Sequence, residues 1–330
     1  MTVDKMTELV IPTLEEIRAT RARIDPYIHR TPVWRWQSKE MEEALGADTE
    51  VWLKLELFQR TGTFKPRGAV NDIMQLDEAA RERGVTAVSA GNHAIAVAYA
   101  AQLFGISAKV VMPVSAPQFR VEKSRSYGAE VVLVADVYAA FDEVERIQRE
   151  EGRAFIHPFD SRPIVTGQAT VGLELCEDAP PLDMLIVPVG GGGLAAGIGA
   201  AVKQLQPDCA IFGVEPEGAD TMHRSFASGA LESIERVETI ATSLGAPATQ
   251  SYSFGLCRHF LEDVALVSDE EMLDGMRLLF HEMKLACEPA CAASTAALFG
   301  PLREQAAGKR VGLILCGSNI GVETFVELLG

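Results

Sequence analysis

The sequence is short of basic residues: 30 Lys and Arg face 46 Asp and Glu, for a net charge of −16. Such a chain repels phosphate backbones and anionic lipid, which argues against nucleic-acid and membrane-surface partners. Cysteine is sparse as well. Cys176, Cys209, Cys257, Cys287, Cys291 and Cys316 form no CxxC pair, and although Cys287 and Cys291 have the spacing to share a helix face, no histidine or second pair completes a zinc set. They read as buried, reduced thiols. There is no apolar run long enough to span a bilayer, and the opening MTVDKMTELVIPTLEE has neither a signal-like core nor a cleavage pattern, so a cytoplasmic protein is expected. Internal repeats, low-complexity tracts and flexible linkers are absent too.

What is present suits a large globular α/β protein. The chain has 330 residues, 48% of them hydrophobic, enough for one large or two medium domains with a sizeable core. Thr13 and Glu16 form a capping box that opens a helix to about Ile28, ended by Pro32 and the WRW that follows. Residues 51–57 read as a strand. From Gly84 strands (86–90, 108–113, 130–135, 154–158) alternate with helices whose ends fall near Gly105, Gly128 and Gly152, the residue type that suits a left-handed helix terminus. This is the signature of parallel βαβ units. A second alternation has strands at 183–189, 210–216, 264–268 and 310–317, with helices after the first two. A capping box at Ser268 and Glu271 opens a helix to about Leu285, and another helix covers roughly 290–306. Residues 231–260 give no clear pattern. Two α/β blocks with a cleft between them are expected.

Four short segments carry chemistry. The apolar run Met184–Val189 ends in Gly190, Gly191, Gly192 and Gly193 and enters a helix at Leu194, a geometry that turns free N–H groups and a positive helix end toward a phosphate. No GK[ST] follows, which excludes a nucleotide-hydrolysing P-loop. Gly190, Gly192 and Ala195 also match G-x-G-x-x-A, with Glu215 closing the next strand, so these residues alone permit a dinucleotide-dependent oxidoreductase. In TGTFKPRGAVN, Lys65 stands beside Phe64 in a Gly-flanked loop; a lysine desolvated by an aromatic ring loses pKa and becomes a Schiff-base nucleophile, whereas an exposed one is only a surface charge. In SAGNHAIA, a strand-to-helix turn from Ser89 to Asn92 suits a carboxylate, or is a plain N-cap. In LILCGSN, Cys316 to Asn319 lie at a strand's C-terminal edge, where α/β sheets bind ligands.

Taken together, in this order and spacing, TGTFKPRGA, SAGNHA, GGGGL and CGSN resemble the fold-type II pyridoxal-phosphate enzymes, closest to threonine/serine dehydratases and serine racemases, over nearly the whole chain. This set displaces the dinucleotide reading, which leaves Lys65 and Asn92 unexplained. The resemblance implies a tryptophan synthase β-like architecture of two open, twisted parallel sheets. Residues 1–59 and 163–330 would form the large cofactor-binding domain and 60–162 a small mobile one. It implies that Lys65 holds pyridoxal 5′-phosphate and acts as the base at Cα, and that Phe64 supports the ring. Asn92 would bond the 3′ oxygen, and Gly190, Gly191, Gly192, Gly193 and Leu194 would cradle the phosphate. Cys316 would face the ring nitrogen, Glu288 would lie near the ring, and Ser89, Ala90, Gly91 and His93 would take the substrate carboxylate. Glu215, Ala219 and Thr221 align with a divalent or monovalent cation site of some relatives, where the third ligand is usually acidic or serine rather than threonine.

The implied reaction is dehydration and deamination of a β-hydroxy amino acid such as L-threonine or L-serine to a 2-oxo acid and ammonia. Racemases carry a serine where this chain has Ala90, which has no proton to exchange; relatives acting on a second carboxylate often carry an arginine where this chain has Phe141, although Arg67 or Arg120 offers a substitute cation. Hydroxyaspartate or diamino acid lyases, racemases and a non-catalytic binding relative are the remaining alternatives. The chain ends soon after Asn319, so the long regulatory extension of feedback-controlled threonine dehydratases is not expected. A homo-oligomer is expected from the resemblance alone.

Overall fold

The computed structural model describes residues 9–330; the first eight residues of the expected large domain lie outside the described residues. The strands are β1 (Val33–Trp36), β2 (Glu50–Lys54), β3 (Val85–Val88), β4 (Ala108–Pro113), β5 (Glu130–Val134), β6 (Ala154–Phe155), β7 (Met184–Pro188), β8 (Ala210–Pro216), β9 (Asp263–Val267) and β10 (Arg310–Ile314). They form a six-stranded sheet, β1-β2-β10-β7-β8-β9, and a four-stranded sheet, β5-β4-β3-β6. All pairings are parallel except β1 with β2, so the expected class holds, with one antiparallel edge strand added. Each sheet has its own apolar core. Ile24, Ile28 and Ile164, from segments assigned to the large unit by sequence, contribute to the core of the smaller sheet.

Several expectations about single elements change. WRW does not merely end a helix. It is the edge strand β1; Trp34 and Trp36 lie on the same face of the strand, but only Trp36 is buried, against Phe299. The first helix stops at Ile24 because Pro26 converts its end to a 3₁₀ turn. The strand expected over 51–57 ends at Lys54 and becomes a 3₁₀ turn over Glu56–Phe58. The 154–158 strand is only two residues long: the His157 ring nitrogen accepts the N–H groups of Phe159 (3.2 Å) and Asp160 (2.7 Å) and turns the chain out of the sheet. The helix expected over 290–306 breaks at Gly300 and Pro301 into Pro289–Phe299 and Arg303–Ala306. Gly105, Gly128 and Gly152 all take positive φ, as expected for helix termini.

Two helices that sequence left unassigned position the site. Lys65–Met74 begins at the lysine itself, with Pro66 in its first turn, so Lys65 is not in an exposed loop. Arg162–Asp178, capped by Ser161, is buried along most of its length and packs on both Lys65–Met74 and Gly193–Leu205. At these crossings a Cβ on Gly167 would lie 2.4 Å from the Arg67 carbonyl, and one on Gly197 would lie 2.6 Å from the Val165 carbonyl, so only glycine permits the approach.

A buried ion cluster locks this junction. Arg67 donates to both oxygens of Glu56 (2.8 and 2.8 Å) and to both of Glu174 (2.9 and 2.8 Å). Lys54 donates to Glu174 at 2.7 Å and to the Thr31 carbonyl at 2.8 Å. Burial opposes the charge on Glu174, yet Arg67 and Lys54 hold its pKa down to about 2. Arg67 is therefore committed to the fold and is not a substitute cation for a second substrate carboxylate. Replacing Arg67 by Met leaves the buried Glu56 with no cation and Glu174 with only Lys54 and Arg21, and should cost about 3–5 kcal/mol, read as a lower urea midpoint. Because the Glu174 pKa is depressed, its contribution is present above the ordinary carboxylate range and should be lost as pH falls from about 4.5 toward 2.

Candidate active site

The motifs converge at the C-terminal ends of the parallel strands. The segment before Lys65 and the segment after β10, remote in sequence, interlock: Phe64 N–H donates to the Cys316 carbonyl at 3.3 Å and Ser318 N–H to Gly62 at 2.9 Å. The Asn319 amide donates to Thr61 at 2.8 Å. Thr61 adopts φ 65°, a strained region for a β-branched residue, held by this contact.

Lys65 donates to the Pro158 carbonyl at 2.7 Å, and its Nζ lies 5.2 Å from the centre of the Phe64 ring. Burial pushes its pKa down to about 8, against the pull of Cys316 and Glu288. At neutral pH the amine is thus neutral far more often than an ordinary lysine's. Gly190 to Gly193 and Leu194 line a small recess with Lys65, Asn92, Glu288 and Cys316. Gly192 has φ +89°, and a Cβ on Gly191 would lie 2.2 Å from the Phe159 ring. The loop can approach a ligand because it has no side chains, and the helix Gly193–Leu205 starts there.

Ser89, Ala90, Gly91 and His93 line the larger cleft, of about 470 Å³. Ser89 Oγ accepts from Gly91 N–H at 3.0 Å, and Gly91, rather than Asn92, is the N-cap of helix Asn92–Leu103. The His93 ring is engaged with the Ile156 carbonyl at 2.8 Å and burial pushes its pKa down to about 3, so it stays neutral. An anion at this turn would therefore meet the helix end and not a charged ring. Asn92 donates to Glu288 (2.7 Å) and Ser243 (3.0 Å) and accepts from Asn319 (2.9 Å). Cys316 is buried beside Cys291; that thiol contact and burial raise its pKa, which keeps it neutral.

Sequence reasoning named Arg120 only as a spare cation and missed the rest of this wall. Arg120 spans the cleft, donating to Glu288 Oε2 at 2.9 Å, to the Asn319 carbonyl at 2.8 Å and to Thr242 at 3.2 Å. Burial raises the Glu288 pKa, with Arg120 opposing. Thr242 and Ser243 come from the segment that showed no pattern, where no periodic signal existed to find them. Pro158 and Phe159 follow β6 and carried only the weak signal of an apolar strand end.

Glu215, Ala219 and Thr221 lie apart from this recess. Both Glu215 oxygens accept backbone N–H groups, from Met222 (3.0 Å) and His223 (2.8 Å), so the carboxylate caps helix Thr221–Ser228. Thr221 donates to the Ala246 carbonyl at 3.3 Å. Burial pushes Glu215 up to about 8, against those two N–H groups. Among the described residues no group of three His, Cys, Asp or Glu is placed to hold a metal ion.

A half-buried, low-pKa lysine beside a side-chain-free anion cradle fits pyridoxal phosphate, which needs a covalent amine partner and a phosphate site together. The sequence profile of the family described as pyridoxal-phosphate dependent enzymes matches residues 24–317. The chain belongs to that family. It is 51% identical over 328 residues to a phenylserine dehydratase of Ralstonia pickettii, covering 98% of this chain and 99% of that protein. It is 38% identical to an L-threonine ammonia-lyase of Thermotoga maritima, covering 96% and 78%. The solved structure of maize serine racemase superposes with a TM-score of 0.90 at 36% identity, covering 96% and 97%. The fold is that of the fold-type II members of the family.

The lowered lysine pKa has a direct consequence. Cofactor-free protein should capture pyridoxal phosphate faster as pH rises through about 8, levelling off above it, because only the neutral amine attacks. Stopped-flow visible absorbance reads the rate, and Lys65→Ala should lack the lysine-bound band at every pH.

Proposed function

We propose that this protein is an ammonia-lyase that removes water and then ammonia from a β-hydroxy amino acid, giving a 2-oxo acid. The observation that carries the reading is the cleft floor: Lys65, an amine kept partly neutral by burial, lines the cleft together with Ala90, which has no exchangeable proton. One base without a second proton donor at that loop position favours elimination over racemisation.

When bound, the cofactor supplies the electron sink that makes the Cα proton removable. The chain's own groups do the rest. The glycine loop and Leu194 would hold the phosphate, and Phe64 would support the ring. Cys316, a neutral thiol, would face the ring nitrogen without fixing a proton on it, and Asn92 would exchange one of its present bonds for the 3′ oxygen. The Ser89 hydroxyl, the N–H groups of Ala90 and Gly91 and the start of helix Asn92–Leu103 would take the substrate carboxylate, with the Gly91 N–H leaving its present bond to Ser89 Oγ and the Ser89 N–H staying on the Val111 carbonyl. Lys65 would take the Cα proton. Loss of the β-hydroxyl leaves an enamine, which water converts to the 2-oxo acid and ammonia.

The outer cleft supports a β-carbon with an apolar substituent. Tyr138 (56% exposed) and Phe141 (37% exposed) line it with Val137 and Val237. Arg120 on this cleft is already paired with Glu288, and Arg236, also on its wall, with Glu238. This wall and the phenylserine dehydratase among the relatives favour an aryl-bearing substrate over hydroxyaspartate, with threonine and serine as smaller members of the same class.

The small unit, residues 60–162, would close over substrate by forming cleft-spanning bonds such as Tyr138 to the Glu235 carbonyl. A homo-oligomer in the cytoplasm completes the reading, supported by exposed Val322 and Val326 along helix Val322–Leu329. A cation at Glu215, Ala219 and Thr221 would need the Glu215 carboxylate ionised. The thermal stabilisation by added magnesium should then grow as pH rises through about 8.

The decisive assay measures 2-oxo acid from L-threonine, L-serine, β-phenylserine and β-hydroxyaspartate. The phenyl substrate should give the highest kcat/KM. Phe141→Arg should lower that value by about tenfold and raise the value for hydroxyaspartate. A holoenzyme with its visible band intact that forms 2-oxo acid from none of the four would refute the reading.

A further inference from the structure

Gln168 lies on helix Arg162–Asp178, is fully buried, and has no hydrogen-bond partner at either Nε2 or Oε1. Leaving even one such atom unpaired is unfavourable, so a side chain with both ends unpaired is expensive. The other unpaired side-chain atoms among the described residues are single ones, on Trp36, Thr61, Thr86 and Thr295.

Its position suggests why the cost is tolerated. The neighbouring Gly167 is where its helix touches Lys65–Met74, and Gly197 is where it touches Gly193–Leu205. Gln168 therefore sits beneath the junction of two helices, one starting at the lysine and the other at the glycine loop. Its amide points at the second of these starts: a Cβ on Gly193 would lie 2.9 Å from Gln168 Oε1 and 2.6 Å from the Phe159 carbonyl. Gly193 is thus fixed as glycine partly by the amide beneath it. A buried, doubly unpaired amide pressed against an anion-binding helix end is a polar group whose partner is supplied with the ligand.

We propose that Gln168 is a positioning residue for the cofactor's phosphate: its amide pairs with the phosphate cradle only when that anion is present. In the cofactor-free protein it is a stored cost, and phosphate binding relieves it. Relieving one buried unpaired atom is worth about 1–3 kcal/mol, on the order of a fivefold to hundredfold change in affinity.

The test uses Gln168→Met, which keeps the shape and removes both polar atoms, with Gln168→Glu as a second variant of the same size that adds negative charge. Binding of pyridoxal phosphate and of pyridoxal, which lacks the phosphate, is measured by absorbance titration. Melting temperatures are taken for cofactor-free and cofactor-loaded full-length protein. Gln168→Met should weaken pyridoxal phosphate by about tenfold or more and leave pyridoxal unchanged. Its cofactor-free melting temperature should stay level or rise, while the gain on loading shrinks. Gln168→Glu should weaken pyridoxal phosphate further. If Gln168→Met lowers both melting temperatures equally with phosphate affinity intact, the amide only holds an internal water and the proposal fails. An equal loss for pyridoxal phosphate and pyridoxal also overturns it, since the residue would then shape the site rather than serve the phosphate.

Discussion

Everything near the lysine depends on the guanidinium two residues after it. Arg67 is held by two buried carboxylates from separate parts of the chain, Glu56 just past β2 and Glu174 on helix Arg162–Asp178. Both contacts are bidentate, the geometry that extracts most from a guanidinium. The desolvation of so many charges makes this cluster a poor source of net stability compared with an apolar core. Its value is directional. A hydrophobic contact would let helix Lys65–Met74 rotate or slide, whereas four oriented bonds fix its register, and with it the direction in which Lys65 leaves the first turn.

That fixed helix start also addresses an electrostatic puzzle. A chain of net charge −16 is a poor host for a phosphate and a carboxylate. Screening in salt limits the global field to about 8–10 Å, so the local field decides. Locally, the glycine loop opens helix Gly193–Leu205 and the SAGN turn opens helix Asn92–Leu103, both toward the recess that also holds the Lys65 amine. Helix ends and free N–H groups attract anions without adding a full charge that would need its own counter-ion. Arg120, a full positive charge nearby, is balanced by Glu288, and Lys123 is held on the Thr61 carbonyl and Asn319 Oδ1.

How much of this the sequence displayed follows from the kind of signal each part carries. Glycine at Gly190–Gly193 and at the helix ends is dictated by backbone geometry, which is local, so those elements were legible. The four motifs were legible as a set, since each alone had a bland explanation. Helix Arg162–Asp178 was not, because it is buried on nearly every side and so has no polar stripe to mark its period. A Ser161 cap with Pro163 in the first turn was the available signal. Arg67 read as a free cation because a lone sequence cannot show Glu56 and Glu174 meeting it across 11 and 107 residues. Thr242 and Ser243 lie on a segment whose shape comes from the surfaces it crosses rather than from any repeat, so no pattern could announce them.

The bonds across the cleft differ in kind from those at the Arg67 junction, the hinge in the closure proposed above, and the contrast bears on that proposal. On the cleft side stand Arg120 to Glu288 and to the Asn319 carbonyl, Asn92 to Glu288, Asn92 to Ser243, and Tyr138 to the Glu235 carbonyl. The last two are neutral single bonds, worth about 0.5–1.5 kcal/mol each. The ion pair is buried when the cleft is closed, but opening would admit water to both partners, so its loss would be cushioned by hydration. On the hinge side, Arg67 would have to abandon two carboxylates that stay enclosed by helix Arg162–Asp178 whatever the cleft does. Breaking the first set costs a few kcal/mol, within reach of thermal motion on the microsecond to millisecond scale, whereas breaking the second leaves uncompensated charge in the interior. The small unit would therefore open by pivoting about the Arg67 junction. The lysine, seated almost on that pivot, would move least, which keeps the covalent anchor and the phosphate cradle in register while the carboxylate loop and the Tyr138–Phe141 wall swing to admit substrate.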